Sequence, residues 1–196
     1  MSNSNGFSGT KRAVFLDRDG TINVEKDYLY RIEDFEFVPG AIEAIKLLKD
    51  NGFIVVVVTN QSGIARGYYQ ESDVVKLHSY VDRLLATEGT SVDSWYHCPH
   101  HPDGKDPYDL ACDCRKPLPG MLLKAARDLD LNLGDSWMVG DKLVDVEAGL
   151  AAGCKSLLVL TGYGSGVTER LPEGVKYCED IKRAADLIVA SLTDKQ

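Results

Sequence analysis

The sequence predicts an open, doubly wound α/β fold with a mostly parallel sheet, on three observations. Short runs rich in Val, Ile, Leu and Phe alternate with longer segments of helical period. Two of these runs, 13–16 and 53–58, are apolar throughout, as expected of parallel strands buried on both faces. The runs end in Asp, Thr or Gly, which would collect polar groups at one sheet edge, where open α/β proteins bind ligands.

The elements follow in order. Residues 1–10 are polar and rich in Gly, Ser and Asn, and are expected to be a disordered tail. Residues 11–196 then read as one domain, without repeat or linker. Strand 13–16 leads into Asp17-Arg18-Asp19-Gly20-Thr21, and residues 22–37 read as a loop arching over the strand end. Pro39-Gly40 opens a helix striped by Ile42, Ile45, Leu47 and Leu48, and Asn51-Gly52 stops it. Strand 53–58, with four consecutive valines, ends in Thr59-Asn60-Gln61-Ser62-Gly63. Residues 71–88 form a helix with Val74, Leu77, Val81, Leu84 and Leu85 at helical spacing, and 92–96 a third strand. Segment 97–114 carries three of the four histidines and three of the five cysteines. Helix 121–131, strand 136–139, a small-residue helix 144–152, strand 156–160, a glycine-rich loop 162–166 and helix 181–192 complete the alternation.

Composition narrows the function. The net charge of −8 argues against a nucleic-acid or anionic-membrane binder. No apolar run approaches the length of a membrane span, and the N-terminus lacks the apolar core of a signal peptide. A cytoplasmic monomer with reduced cysteines is expected. In that compartment a tight Cys/His cluster means metal more often than disulfide.

The chemistry gathers at the strand ends: Asp17 and Asp19 from the first, Thr59 from the second and Asp141 from the fourth, with Arg115 and Lys116 just after the Cys/His segment. Separate carboxylates with a lysine and a hydroxyl suit Mg²⁺ and a phosphoryl group. Mg²⁺ binds through one or two carboxylates plus substrate phosphate, and phosphoryl transfer needs its oxygens neutralised. Cys98, His100, Cys112 and Cys114 form a Cys-x-His…Cys-x-Cys set whose thiolates and imidazole favour a closed, tetrahedral Zn²⁺ site. His101 and Asp113 are rival ligands by position. Cys154 and Cys178 stand alone and read as core thiols, and His78 as a structural helix residue.

Four segments, Val14-Phe15-Leu16-Asp17-Arg18-Asp19-Gly20-Thr21, Val58-Thr59-Asn60, Lys116-Pro117 and Val139-Gly140-Asp141-Lys142-Leu143-Val144-Asp145, resemble in order the four motifs of haloacid-dehalogenase-superfamily phosphatases. Within that superfamily, residues 59–67, Cys98-Pro99-His100-His101-Pro102 and residues 112–121 are similar to the heptose-bisphosphate phosphatase branch. Its sibling, histidinol-phosphate phosphatase, is the alternative.

The resemblance implies a Mg²⁺-dependent phosphatase of a small sugar bisphosphate, releasing the C7 phosphate of a heptose 1,7-bisphosphate in nucleotide-activated heptose biosynthesis. In it Asp17 would be the nucleophile and Asp19 the general acid and base, with Thr59 and Lys116 on the phosphoryl oxygens. Mg²⁺ would sit on Asp17, the Asp19 carbonyl and Asp141. Asp145 would support the metal shell, and Lys142 would orient Asp141, touch phosphate or simply face solvent. With no large cap domain between the motifs, loops must select the substrate: Glu25, Lys26, Asp27 and Tyr28 on one side, Asn60, Gln61, Ser62 and Arg66 on another, then Arg115 and Lys142. A phospho-acceptor receiver domain shares the acceptor Asp, Thr and Lys, but does not need an acid two residues after the acceptor, where Asp19 stands.

Overall fold

Side-chain alternation along the central strands builds the molecule. In β1 (Ala13–Leu16) and β2 (Ile54–Asn60), Val14, Leu16, Val55 and Val57 enter one apolar layer, while Ala13, Phe15, Val56 and Val58 enter the other. The computed structural model describes residues 10–193 and contains a six-stranded parallel sheet of order β3-β2-β1-β4-β5-β6. The remaining strands are β3 (Ser94–Cys98), β4 (Trp137–Gly140), β5 (Lys155–Val159) and β6 (Lys176–Cys178). All strands run the same way, but the order in which the chain lays them down reverses between β1 and β4, which places a crevice beyond their carboxyl ends.

Helices cover both faces. α1 (Ala41–Asp50), α3 (Glu71–Thr87) and α6 (Ile181–Ala190) contribute to the Val14/Leu16 layer; α4 (Gly120–Leu129) and α5 (Leu143–Ala152) contribute to the Phe15/Val58 layer. The ends are chemically set. Asp73 accepts from the Gln70 N–H at the start of α3, and Asp180 accepts from the Arg183 N–H at the start of α6. Gly52, at φ +76°, turns the chain out of α1.

The expected elements are all present, with shifts of one or two residues. Besides short 3₁₀ turns, one α-helix and one strand were not expected. The one-turn α2 (Gly63–Arg66) follows directly on β2, and β6 carries only three residues, two of them exposed. Neither is long enough to impose a period on the sequence. No helix among the described residues is long and apolar enough to cross a membrane. The expected disordered tail lies, but for Thr10, outside the described residues.

Candidate active site

In-register parallel pairing brings the chemical residues together. Leu16 lies beside Val57 of β2 and Val139 of β4, so Asp17 emerges between the polar ends of both neighbours. The Asp17 N–H donates to the Val139 carbonyl at 2.9 Å, extending the ladder one residue into the site. Asp141 follows the last residue of β4, and Asp145 is in the first turn of α5. Their carboxylates, with that of Asp17, lie within 4.8 Å of one another, and all three residues are buried.

Three adjacent acids in so dry a place repel one another. Burial and the Asp17 carboxylate push Asp141 up to about 8 and Asp145 up to about 6. Lys116 relieves part of this. Its Nζ is 2.8 Å from Asp17 Oδ1 and 2.6 Å from Asp145 Oδ1, and donates to the Val58 carbonyl at 2.8 Å. Burial disfavours the ammonium, but Asp145 and Asp17 outweigh it and raise the Lys116 pKa. Asp145 works twice, because its Oδ2 also accepts from the Lys142 N–H at 3.0 Å and caps α5.

The acids can hold a divalent cation. Asp141 Oδ1 is buried without a hydrogen-bond partner, and the nearest ammonium, Lys142, is 3.9 Å away. Asp141 Oδ2 accepts from the Tyr163 N–H at 2.9 Å. Two left-handed glycines, Gly20 (φ +86°) and Gly162 (φ +55°), press against this carboxylate so closely that a Cβ on either would collide with it. A hard cation on Asp17 and Asp141 would answer both the orphan oxygen and the repulsion.

Asp19 sits beside this cluster. Arg18 holds it from Nε and Nη2, Asn23 donates to Oδ1 at 3.1 Å and Gln61 to Oδ2 at 3.0 Å. Gln61 also donates to Thr59 Oγ1 at 2.8 Å, which leaves the threonine hydroxyl proton available to an acceptor in the cleft. Asn60 makes a two-point clamp on the Lys116 backbone: Nδ2 donates to its carbonyl at 3.0 Å and Oδ1 accepts from its N–H at 3.1 Å. Its amide therefore fixes the lysine-bearing turn.

A cleft of about 170 Å³ opens at this edge. Glu25, Asp27, Tyr28, Asn60, Gln61, Ser62 and Lys142 line it, together with Asp19 and Tyr69. Lys142 reaches Glu25 Oε2 at 2.9 Å; burial disfavours its charge, but Asp17 and Asp141 prevail and raise its pKa. Lys26 is not brought in, since its ammonium turns outward to Glu36 at 3.0 Å. Arg66 and Arg115 stand apart from the cleft lining, near His101. Arg66 Nη2 is 3.3 Å from His101 Nε2 and its Nε is buried without a partner, while Arg115 Nη1 donates to the His100 carbonyl at 3.2 Å. Burial and then the Arg115 and Arg66 charges lower the His101 pKa.

Cys98, His100, Cys112 and Cys114 converge as a second cluster, with ligand atoms within 4.8 Å of one another. Cys114 Sγ is 3.2 Å from both Cys98 and Cys112 Sγ, and His100 Nδ1 is 3.3 Å from Cys114 Sγ. Three thiols and one imidazole facing a common centre are a donor set for Zn²⁺. His101 does not enter it. Asn60 pairs with Cys98 across β2 and β3, so this cluster and the lysine turn are anchored at adjoining strand ends. Cys154 and Cys178 are buried, and burial pushes each thiol up to about 12.

Sequence reasoning gave Asp145 only a supporting place and passed over Tyr163, Tyr69 and Arg18. Asp145 had a signal, four residues after Asp141 at the start of a helix. Tyr163 had none, because its contribution is a backbone N–H in a glycine-rich loop.

Fold and site are those of a haloacid dehalogenase-like hydrolase, and the family model of that description matches residues 10–153. Curated relatives are D-glycero-beta-D-manno-heptose-1,7-bisphosphate 7-phosphatases. One from Pasteurella multocida is 45% identical over 94% of this chain and 94% of its own length; one from Escherichia coli K12 is 46% identical over 93% of this chain and 90% of its own. Among solved structures, the D,D-heptose 1,7-bisphosphate phosphatase of B. bronchiseptica, complexed with magnesium and phosphate, superposes with a TM-score of 0.83 at 38% identity, covering 92% of this chain and 99% of that one. The chain belongs to the haloacid dehalogenase-like hydrolases, within the family of these heptose-bisphosphate 7-phosphatases, and is a phosphomonoester hydrolase.

Proposed function

We propose that this chain hydrolyses the C7 phosphate of D-glycero-D-manno-heptose 1,7-bisphosphate, preferring the beta anomer that the relatives' names specify. The observation that carries the chemistry is the buried Asp17–Lys116–Asp145 arrangement beside an orphan Asp141 oxygen at the switch point of the sheet. Asp17 attacks phosphorus as Asp19 gives a proton to the departing C7 oxygen, and the phosphoryl group becomes an aspartyl phosphate. Asp19 then takes a proton from water as the water oxygen attacks phosphorus, which returns the Asp17 carboxylate and releases phosphate. Thr59 and Lys116 donate to the phosphoryl oxygens, and the backbone clamp from Asn60 keeps Lys116 in place. Asp17, Asp141 and the Asp19 carbonyl would hold Mg²⁺, which would supply charge neutralisation at the transferring group.

The second phosphate of the substrate is the basis of selection. Arg66 and Arg115, whose charges both act on His101, are the basic groups we assign to it, while Glu25, Asp27, Gln61 and Ser62 offer acceptors and donors to sugar hydroxyls. The test is a panel of both heptose bisphosphate anomers and histidinol phosphate, each with and without added Mg²⁺. The beta anomer should give the highest kcat/KM, only with Mg²⁺. Preference for histidinol phosphate would overturn the substrate assignment.

Zn²⁺ on Cys98, His100, Cys112 and Cys114 fixes the segment that ends in Arg115 and Lys116. Elemental analysis should return one Zn²⁺ per chain regardless of Mg²⁺, and Cys112→Ser should lower both zinc content and Tm, because metal binding here is folding free energy. Full zinc occupancy in the Cys98→Ser/Cys114→Ser double variant would rule out this ligand set.

A further inference from the structure

Arg18 lies between the two aspartates of the first motif and is fully buried. A guanidinium stays charged under all ordinary conditions, so its burial needs a partner for each N–H. Asp19, the Leu29 carbonyl and His78 give Nε, Nη2 and Nη1 each at least one partner. The Arg18 carbonyl accepts from the N–H groups of Thr21, Ile22 and Asn23, and this tight turn passes through left-handed Gly20. Arg18 then lies against its neighbour Asp19: Nε is 3.1 Å from Oδ1, and Nη2 is 3.0 Å from Oδ1 and 2.9 Å from Oδ2.

The far side of the guanidinium is seated as firmly. Nη2 donates to the Leu29 carbonyl at 2.8 Å, and Nη1 faces His78 Nε2 at 3.3 Å. Arginine can only donate, so His78 accepts at Nε2 and is neutral. Burial, the Arg18 charge and His97 push the His78 pKa down to about 2, in keeping with that assignment. The ring stacks on Trp95 at 4.2 Å, and Trp95 in turn donates to Asp82 at 2.9 Å. Tyr69 completes the opposite side, donating to Gln61 Oε1 at 2.7 Å and so directing the Gln61 amide N–H at Asp19.

We propose that Arg18 is the positioning residue for proton transfer: seated on Leu29 and His78, its fork fixes where the Asp19 carboxylate points, with Asn23 and Gln61 completing the grip. The inference rests on Asp19 being the acid and base of the reaction. All the groups that hold Asp19 are N–H donors, so a proton on either oxygen must displace one of them. The oxygen that gives up a donor is the one free to reach the leaving group, and Arg18 decides its direction.

The test separates proton transfer from general damage by the leaving group. Single-turnover phosphorylation of the Mg²⁺-loaded enzyme is measured with the heptose bisphosphate, whose alkoxide needs a proton, and with p-nitrophenyl phosphate, whose phenolate does not. Arg18→Lys keeps the charge and loses the fork. It should slow phosphorylation by the heptose ester about 100-fold and by p-nitrophenyl phosphate less than about threefold, the cost of a misaimed group rather than of an unfolded site. A pair of variants at the seat guards against a folding failure: His78→Leu removes the acceptor and should show the same split, and His78→Gln, which restores an acceptor, should reverse it. Equal losses on the two esters, or no loss on either, would overturn the proposal. Asp19→Asn is run alongside. If it too fails to split the esters, the acid assignment is wrong and the proposal falls with it; a split there without one in Arg18→Lys overturns the positioning role alone.

Discussion

Asp17→Asn should reduce turnover by at least about 10⁴-fold, in the range that loss of a nucleophile costs other covalent enzymes. An amide oxygen carries no charge to attack phosphorus, and the step has no second candidate at that place. Asp145 and Asp141 are within 4.8 Å, but Asp145 is tied to Lys116 and to the start of α5, and Asp141 is wedged between Gly20 and Gly162. The variant should fold, because Lys116 keeps its 2.6 Å pair with Asp145 and its hydrogen bond to the Val58 carbonyl. Asp19→Asn should lose roughly 10²–10⁴-fold, the usual contribution of general acid–base help. The two also differ in a trapped intermediate. Acid quench of enzyme with ³²P-labelled substrate should show label on protein in Asp19→Asn, where water attack is slowed, and none in Asp17→Asn. Labelled Asp17→Asn, or near wild-type turnover in a folded, Mg²⁺-replete sample, would refute the nucleophile assignment.

What the sequence made legible follows from where each signal lives. Strands β1 and β2 announced themselves because burial on both faces demands an unbroken apolar run, and the residues just past such runs are fixed in space by the register. Asp17, Thr59 and Asp141 were therefore placed correctly at one edge. The short β6 was missed because an edge strand of three residues with two exposed side chains leaves no pattern. Side-chain direction was harder to read. Lys26 sits in the right loop but pairs outward with Glu36, and Asn60, in the right motif, spends its amide on the Lys116 backbone. Arg18 was invisible for a different reason. A residue between two aspartates on a strand end reads as a solvated charge, and only the turn through Gly20, the Leu29 carbonyl and a histidine sixty residues away make it a buried one.

Lys116→Ala and Arg115→Ala should differ in kind although the residues are adjacent. Lys116 is buried against Asp17, so in the proposed reaction its charge would lie beside the phosphoryl group that Asp17 takes up. Its loss should lower kcat by about 10²–10³-fold or more on every ester, as when one preorganised donor is removed from a developing anion. It also leaves Asp17 and Asp145 unpaired in a dry site, so the Mg²⁺-free variant should melt at a lower temperature than wild type. Arg115 is half-buried beside His100 and His101, outside the cleft lining, and gives one N–H to the His100 carbonyl of the Cys/His segment. Under the proposed function, the rest of its fork would serve recognition of the remote phosphate. Removing a hydrogen bond to a charged group costs about 1.5–3 kcal/mol, so kcat/KM for the heptose bisphosphate should fall roughly 10- to 150-fold. For p-nitrophenyl phosphate, which has no second phosphate, it should change little. Some of the loss can surface in kcat, since remote binding energy aligns the reacting centre. Zinc content measured on the same preparation keeps the two roles of Arg115 apart: retained zinc with an ester-selective loss supports recognition, whereas equal losses on the two esters would mean that Arg115 only braces the loop.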